Sequence, residues 1–478
     1  MPILLPLVVA LLGWAEPPGL EGRPQEVLAA VETVVGDAIA AAEGSVVAIA
    51  RKKSENEETQ AIRGREPGLN AAFERRAVPG ALNNFDPFAS DDLSFDYGSG
   101  VVVGEKGEIL TAFHVVKGAQ SLTVRAAGRQ AFLAEIIAAD PRSDLAVIVP
   151  KVAAGGVGPV LKPLVIGDST RLRKGSFLVA LGNPFNAARD GQASASWGIL
   201  SNVARRLEPT PEEDARQDLQ LRHFPTLLQL DAKLNLGMSG GAVINMRGEL
   251  VGLTTAAANA AGFDAQAGYA IPMDGLGRRV VKALMKGEEF EYGFLGINLD
   301  KAQGTNRVMS AEPNTPAGLG GVQVGDAVVA VGDVAVTDAD TLVVAINAIP
   351  AGEPVKLKIV RKNELIERTV ELSKRRPVTA VIATNRPAAW RGLRVDYTST
   401  MANTTFAPNM LAAMSRQGVV VSEVETGSAA EKAGLRMGQL ISRVGGQSVK
   451  NPKEFGRAAG EAKGEVTLET DQGAVVVK

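Results

Sequence analysis

The chain has 478 residues, which is too long for one ordinary core and fits about three domains at roughly 100–200 residues each. With 51 basic and 53 acidic residues the net charge is −2, so charge favours neither nucleic acid nor an anionic membrane as partner. The lack of cysteine excludes disulfides and thiol catalysis, and with only two histidines, His114 and His223, we expect no metal and no cofactor.

The chain begins with an apolar run from Pro2 to Trp14, which is shorter than the ~20 residues that a membrane span needs. Small residues, Gly13 and Ala15, stand where a signal peptidase cleaves, although no Lys or Arg precedes the run. We therefore predict a signal peptide at 1–15 and an exported protein. A buried N-terminal segment, or a start codon placed too far downstream, is the alternative.

A helix and a long loop are predicted next. Apolar residues recur at helical spacing from Pro24 to Ala42, and Gly44 follows as a stop. Residues 51–96 are polar and irregular, with several Gly and Pro, and end in an aromatic cluster at Phe85, Phe88 and Phe95. This composition indicates a loop.

Short β-rich runs separated by Gly, Asn, Asp and Pro extend from Tyr97 to about Ile271 and indicate an all-β barrel or sandwich. The glycines of GSGVVVG at 98–104 are not followed by a helical pattern, so they predict a turn and bulge rather than a nucleotide-binding loop. A helical stretch from Met273 to Glu289 closes this block.

The C-terminal part contains an internal repeat. NTPAGLGGVQVGDAVVAVGDVAV, from Asn314 to Val336, matches GSAAEKAGLRMGQLISRVGGQSV, from Gly427 to Val449, at a constant offset of 113 residues. The repeat predicts two related modules of about that size. The segment between them has linker composition from Arg375 to Pro387.

Three short contexts contain residues that could do chemistry together: ILTAFHVV around His114, DPRSDLAVIVP around Asp144 and NLGMSGGAV around Ser239. A serine becomes a nucleophile when an imidazole takes its proton, and a carboxylate orients that imidazole. The glycines beside Ser239 allow N–H groups to converge on an oxyanion. A lone serine in a Gly-rich turn is usually structural, but the three contexts together predict a triad.

In the order TAFH, SDLAV and GMSGG, on a β-rich block followed by two repeated modules, the chain resembles the HtrA/Deg family of trypsin-like serine proteases. The resemblance implies a mainly β fold with a chymotrypsin-like double β-barrel protease domain at 24–283, which includes the loop 51–96. Two PDZ domains, α+β modules with partly open β-barrels, are expected at 288–374 and 389–478, joined by a linker at 375–388.

The resemblance also implies the roles of the site residues. His114 is expected to be the general base, Asp144 its orienting carboxylate and Ser239 the nucleophile, with the N–H groups of Gly237 and Ser239 as the oxyanion hole. Two further residues are expected to have no catalytic role: His223 facing solvent, and Asp231 supporting a loop.

The segment from Leu253 to Ala256 is expected to pair with the substrate backbone as an added strand. Leu236, Thr255 and Ala256 would then line a pocket for a small or medium apolar side chain, since no acidic residue is placed to bind Lys or Arg. The preference for an apolar side chain is a hypothesis.

The first PDZ module carries GFLGI at 293–297, which resembles a carboxylate-binding loop. Phe294, Leu295, Gly296 and Ile297 are the matching positions for binding the C-terminus of a peptide, and a buried strand is the alternative. The second module reads WRGLRV, with Arg391 at a usually apolar position and Gln439 replacing the acid found at Asp326. Peptide binding by the second module is therefore in doubt.

Two functions are compatible with these features. The first is an exported, ATP-independent serine endopeptidase that degrades unfolded or damaged polypeptides and assembles as a homotrimer or larger homo-oligomer. The second is a catalytically weakened, protease-derived chaperone or peptide-binding protein. It is suggested by Met238 and Ala242, where the family usually has Asn and Pro, because a methionine can only pack the oxyanion loop.

Overall fold

The structure of the protein is a computed structural model. The predicted signal peptide, residues 54–96 of the predicted loop with its phenylalanines, His223 and Ala256 lie outside the described residues. The described residues are 24–53, 97–183, 191–205, 226–255, 268–299, 304–312, 315–374, 380–401 and 418–478.

The described residues of the N-terminal half form strands and three helices. Its helices are α1 (Pro24–Ala42), α2 (Phe113–Val116) and α3 (Gly275–Met285), and short 3-10 turns lie at Glu43–Ser45 and Ser169–Arg171. Its strands are β1 (Val46–Lys53), β2 (Tyr97–Val102), β3 (Ile109–Ala112), β4 (Ala119–Ala126), β5 (Gln130–Asp140), β6 (Leu145–Pro150), β7 (Phe177–Gly182), β8 (Ser194–Arg205), β9 (Leu227–Leu230), β10 (Ala242–Ile244), β11 (Leu250–Thr255) and β12 (Gly268–Pro272).

These strands form two closed, six-stranded antiparallel barrels. Barrel 1 runs in the order β5-β4-β1-β2-β3-β6, and pairing of β5 with β6 closes it. Barrel 2 runs in the order β10-β11-β12-β9-β8-β7. The predicted double β-barrel is therefore confirmed.

Many strands are apolar at successive positions because both of their faces are buried. Side chains alternate across a strand, so Val47 points into the core of barrel 1 while Val46 joins the apolar layer between the barrels. The same layer takes Leu181 from barrel 2 and Val280 from α3. The two barrels and α3 are thus held together by burial of apolar surface.

Two predictions fail at the start of barrel 1. Arg51 to Lys53 do not begin a loop, because they continue β1 in antiparallel pairing with β4. The segment 98–102 is a regular strand without a bulge, with Gly98 opposite Ile49 and Gly100 opposite Val47. Glycine is needed at position 98 for packing, since a Cβ there would lie 2.6 Å from the Val115 side chain.

The C-terminal half contains two modules with similar order of elements, which confirms the repeat. Module 1 comprises β13 (Gly293–Phe294), β14 (Ile297–Leu299), β15 (Val308–Ala311), α4 (Pro316–Leu319), β16 (Ala327–Val331), β17 (Val334–Ala335), α5 (Ala339–Asn347), β18 (Pro354–Arg361), β19 (Glu364–Glu371) and β20 (Ser373–Lys374). Module 2 comprises β22 (Leu393–Tyr397), a 3-10 turn (Thr398–Met401), β23 (Val419–Val424), α6 (Ala429–Lys432), β24 (Leu440–Val444), β25 (Gln447–Ser448), α7 (Pro452–Glu461), β26 (Val466–Thr470) and β27 (Gly473–Val477).

The segment between the modules returns to the protease barrels. There β21 (Ile382–Ala383) pairs antiparallel with Ala138 and Ala139 of β5, as an additional edge strand. None of the helices in the described part of the chain combines the length and the apolar character of a membrane span.

Candidate active site

His114 and Asp144 come together at the end of barrel 1. His114 lies on the one-turn helix α2, which directly follows β3, and Asp144 ends the turn between β5 and β6. The His114 ring nitrogen Nδ1 lies 2.8 Å from Asp144 Oδ2 and 3.0 Å from Oδ1. The backbone N–H of His114 donates to the same carboxylate at 3.0 Å. The carboxylate therefore fixes both the ring and the helix that carries it.

The charge of Asp144 also sets the protonation of His114. Burial by itself lowers the pKa of His114, but the charge of Asp144 and its hydrogen bond raise it, while the charge of Arg51 again lowers it. The balance leaves the pKa of His114 above its ordinary value of 6.5. Because Asp144 accepts a hydrogen bond at Nδ1, the neutral ring carries its proton there and leaves Nε2 as the acceptor.

Ser239 lies in a turn that precedes β10 in barrel 2. The N–H groups of Met238, Gly240 and Gly241 donate to carbonyls within or next to this turn. Those of Gly237 and Ser239 have no acceptor among the described residues. Buried backbone donors are rarely left unpaired, so two free N–H groups beside one serine can serve an oxyanion.

Glycine is required in this turn by both backbone angles and space. Gly237 has φ +93°, and a Cβ there would lie 2.5 Å from the Tyr97 ring. Gly240 has φ +82°, and a Cβ there would lie 2.3 Å from the carbonyl oxygen of Ser99. A side chain at either position would therefore push the loop out of its conformation.

Two neighbouring threonines of β11 join the parts of the site. The Thr254 hydroxyl donates to the carbonyl of Met238, next to Ser239. The Thr255 hydroxyl donates to Asp144 Oδ2 at 3.1 Å. Adjacent residues of a strand face opposite sides, so a single strand contacts the serine turn with one face and the carboxylate with the other.

Met238 is held by packing rather than by polar contacts of its side chain. It is 2% exposed and lies in the apolar core of barrel 2 with Leu178 and Val251. Its sulfur accepts the Asn235 N–H at 3.4 Å, which is a weak interaction. The substitution that separates this chain from the usual family motif thus anchors the loop through an apolar contact.

The residues expected to bind substrate lie in different environments. Leu236 is 58% exposed beside the serine turn, as a substrate contact requires. Thr255 is buried and its hydroxyl faces Asp144, so its role in a pocket stays a prediction. Leu253 pairs with Ala242 on one side and Ile271 on the other, so its backbone cannot take up an added strand, contrary to expectation.

The residues expected at the first PDZ loop lie together between β13 and β14. Phe294 pairs with Ser373, Leu295 is buried in the module core, and Ile297 pairs with Ala311. Gly296 has φ +83°. In the part of the chain that the structure describes, the N–H groups of Leu295 and Gly296 have no acceptor. These two donors are available to a carboxylate.

The corresponding loop of module 2 has an additional backbone bridge and a bound side chain. Trp390 and Leu393 exchange backbone hydrogen bonds at 2.9 and 2.8 Å. The Arg391 guanidinium donates to the carbonyls of Val477 and Gly464 at 2.6 and 2.5 Å. Arg391 therefore ties the loop to the C-terminal strand instead of pointing to a ligand.

Asp326 of module 1 and Gln439 of module 2 occupy the same position of the repeat, and each stabilises a turn. Asp326 accepts the N–H of Gln323 at 2.8 Å and pairs with Arg361 at 2.8 Å. Gln439 likewise accepts the N–H of Arg436 at 2.8 Å. The glutamine keeps the turn, so this replacement gives no reason to expect a loss of binding.

Sequence reasoning missed two polar residues of the site. Arg51 donates to the carbonyls of His114 and Lys117 at 3.1 and 2.6 Å, which fixes the end of α2. Ser99 donates to the carbonyl of Gly237 at 2.7 Å. Both act over more than 60 residues of sequence. The GSG at the start of β2 was a signal for Ser99, and Arg51 had none.

Asp231, which was expected to support a loop, accepts the N–H of Ile199 on β8. This contact is within barrel 2 and involves neither His114 nor Ser239. Within the described ranges, no three His, Cys, Asp or Glu side chains are grouped to hold a metal ion.

Comparisons with known proteins identify all three parts of the chain. Residues 98–253 match the model of the trypsin-like peptidase domain, and residues 293–372 and 420–470 each match a PDZ domain. The PDZ modules therefore belong to a class of peptide-binding domain.

Curated relatives match over most of their length. A probable periplasmic serine endoprotease DegP-like of Chlamydia trachomatis is 31% identical over 395 residues, covering 79% of this chain and 73% of the relative. The periplasmic serine endoprotease DegP of Escherichia coli (strain K12) is 28% identical over 370 residues, covering 75% and 70%. Among solved structures, the HtrA-type protease AlgW with tripeptide has a TM-score of 0.51 at 22% identity, covering 72% of this chain and 97% of that one. The chain therefore belongs to the DegP/HtrA family of serine endoproteases.

Proposed function

We propose that this serine endoprotease cleaves unfolded polypeptides with Ser239 as nucleophile, His114 as general base and Asp144 as orienting carboxylate. The contact between His114 Nδ1 and Asp144, at 2.8 Å, carries the proposal. It leaves Nε2 to take the proton of the Ser239 hydroxyl as that oxygen attacks the peptide carbonyl, and to return it to the leaving amine. Water then hydrolyses the acyl-enzyme by the same base.

The N–H groups of Gly237 and Ser239 are proposed to stabilise the tetrahedral intermediate. Their lack of acceptors in the described part of the chain supports this role, because they need not break other bonds when charge develops. Loss of one such donor in a serine protease lowers kcat by about 10²–10³-fold. Packing of Met238 into barrel 2 supports a loop that is ordered before substrate binds.

A fluorophosphonate probe tests the nucleophile. Purified wild type and Ser239→Ala are incubated with the probe, with and without unfolded casein, and casein cleavage is followed in parallel. We expect labelling and cleavage in the wild type and neither in Ser239→Ala. Absence of Ser239-dependent labelling under every condition would instead favour a catalytically weakened chaperone.

The substrate pocket is proposed to accept a small or medium apolar side chain. The exposure of Leu236 beside the serine turn supports this choice, and Ala256 is the second proposed contact. A peptide library sequenced after digestion by wild type, with Ser239→Ala as blank, measures the preference. Cleavage mainly after Lys or Arg would overturn it.

The first PDZ domain is proposed to bind the C-terminus of a peptide through the N–H groups of Leu295 and Gly296, with Phe294 and Ile297 beside them. The chain offers a matched pair of variants. A Cβ at Gly296 would lie 2.1 Å from the Thr315 side chain, and one at Gly392 would lie 2.1 Å from the Ser428 side chain. Both substitutions thus disturb equivalent loops.

Fluorescence polarisation with a labelled apolar-ended peptide, in the Ser239→Ala background, tests this site. We expect Gly296→Ala to abolish binding, Gly392→Ala to preserve it, and a C-terminal amide on the peptide to prevent it. Equal loss in both variants, or equal binding of the amide, would contradict capture by the first domain.

We propose that the protein is exported to the periplasm, which the names of its relatives support. We propose that it acts there as a homotrimer or larger homo-oligomer without ATP. Light scattering coupled to size exclusion would give the mass of the assembly, and a monomer at working concentration would refute this part.

A further inference from the structure

Ser99 lies on β2 of barrel 1, at the contact with barrel 2, and is fully buried. Its hydroxyl donates to the Gly237 carbonyl at 2.7 Å and accepts the Asn183 N–H at 2.8 Å. Its backbone N–H donates to the Ser239 carbonyl at 2.8 Å. One residue of barrel 1 therefore holds carbonyls on both sides of Met238 in the serine turn.

These contacts restrict the backbone at Gly237, the residue of the serine turn where a glycine allows several conformations. Gly237 has no Cβ, so by itself it could adopt several combinations of φ and ψ. Its N–H is one of the two proposed oxyanion donors, and its own carbonyl lies on the other side of the same Cα. By fixing that carbonyl, the Ser99 hydroxyl limits rotation at Gly237 while φ remains at +93°.

A second buried serine, Ser45, makes none of these contacts and serves for comparison. Ser45, which immediately precedes β1, is as fully buried as Ser99. Its hydroxyl has no hydrogen-bond partner among the described residues. Burial of a serine next to barrel 1 therefore does not by itself create contacts to the serine turn.

We infer that Ser99 is a positioning residue for the oxyanion hole, which it orders through the Gly237 carbonyl without contact to the substrate. This inference rests on the proposed function, because it assigns to Ser99 the geometry of donors that the proposed mechanism uses. It places a determinant of catalysis in the GSG that opens β2, on the opposite barrel from the nucleophile.

The test compares Ser99→Ala with Ser45→Ala and wild type. We expect Ser99→Ala to lower kcat on a peptide substrate by about 10–100-fold, less than the ~10²–10³-fold loss of a donor itself, with KM changed less than about twofold. The affinity for a peptide boronic acid, whose tetrahedral oxygen mimics the intermediate, should fall by the same factor as kcat/KM. Ser45→Ala should match wild type in all three measurements.

Two single-cysteine variants show whether a loss of activity on substitution of Ser99 comes from misfolding. Since the chain has no cysteine, Ser99→Cys and Ser45→Cys each add a single thiol, whose resistance to a thiol reagent before denaturation reports that the site is folded. A thiol is a weak hydrogen-bond donor, so Ser99→Cys should still lose at least about tenfold in kcat relative to Ser45→Cys.

The outcomes separate the two levels of the hypothesis. If the Ser99 variants keep the kcat and boronate affinity of their Ser45 counterparts, or if only their KM changes, the positioning role is refuted while the protease mechanism stands. If the wild type shows no Ser239-dependent turnover, the proposed mechanism and this inference both fall.

Discussion

Lys374 is the place where a single substitution should most weaken the junction between the three domains. Its ammonium lies 3.1 Å from Glu289, after the protease barrels, 3.4 Å from Glu291, before the first PDZ loop, and 3.4 Å from Asp396, in the second PDZ domain. Lys374 is 6% exposed. In Lys374→Met the three partly buried carboxylates would lose the cation that they share, and Glu289 would keep only Arg142 at 3.3 Å.

The expected loss follows from this geometry. Removing one partner of a fully buried ion pair costs about 3–5 kcal/mol because the remaining charge stays desolvated. Lys374 is buried but its three partners are only partly so, which makes this range an upper bound for Lys374→Met. The exposed pair of Lys453 with Glu353, at 3.0 Å, also joins the two PDZ domains, but such a pair contributes at most about 1 kcal/mol. Lys453→Met is therefore the matched control.

The pKa shifts of the carboxylates also determine how the loss of stability in Lys374→Met changes with pH. Burial raises the pKa of Glu291 and of Asp396, and although Lys374 lowers both, the net shift is upward. For an acid with a raised folded pKa, stability is fully present below the unfolded pKa and is lost as pH rises through the folded value. Without Lys374 these pKa values rise further, so the destabilisation should be larger near pH 8 than near pH 5.

Calorimetry in the Ser239→Ala background, which prevents self-digestion, measures the transition in each variant. We expect Lys374→Met to lose more stability than the control near pH 8, up to about 3–5 kcal/mol, and clearly less near pH 5. Lys453→Met should lose at most about 1 kcal/mol at both. A loss in Lys374→Met no greater than in the control, or one that does not depend on pH, would refute the reasoning.

Three further predictions concern the active site; the first two are read from initial rates across pH, and the third from kcat and from calorimetry. Asp144→Asn should lower kcat about 10⁴-fold and shift the acidic limb of the profile downward, because the carboxylate raises the pKa of His114. Arg51→Gln should shift that limb upward, because the charge of Arg51 opposes protonation of His114. Met238→Ala should destabilise the fold by about 2–5 kcal/mol and lower kcat, whereas Met238→Leu, which conserves volume, should lose less than ~1.5 kcal/mol and keep activity. An acidic limb that does not move in the first two variants, or equal behaviour of the two Met238 variants, would contradict these assignments.

His114 and Asp144 could be predicted as partners from the three sequence contexts taken together and from the family resemblance, and the structure brings them to 2.8 Å. Contacts between the barrels could not be predicted in this way. Ser99 meets Gly237 across 138 residues, and nothing in either segment specifies the approach. Such contacts depend on how two closed barrels pack, which single-strand patterns do not encode.

Thr255 shows the limit of carrying a motif over by position. The sequence places it after a buried strand near the serine turn, which suits a pocket residue as well as a structural one. Its hydroxyl in fact faces Asp144, while that of Thr254 faces the carbonyl of Met238. A shift of one residue along the strand exchanges the two faces, so only the register with β12 decides between the roles.

The support of Asp144 extends beyond the protease domain that the sequence delimits at 24–283. Asp144 has φ +55°, which a non-glycine residue keeps only where its surroundings hold it. In the same turn, buried Arg142 pairs with Glu289 at 3.3 Å, donates to the Phe290 carbonyl at 2.9 Å and stacks on Tyr292. The strand β21, which follows the first PDZ domain, pairs with the end of β5 that leads into this turn. A boundary at residue 283 thus falls inside the set of contacts that hold the carboxylate, and the catalytic unit in the physical sense includes the attachments of both PDZ domains.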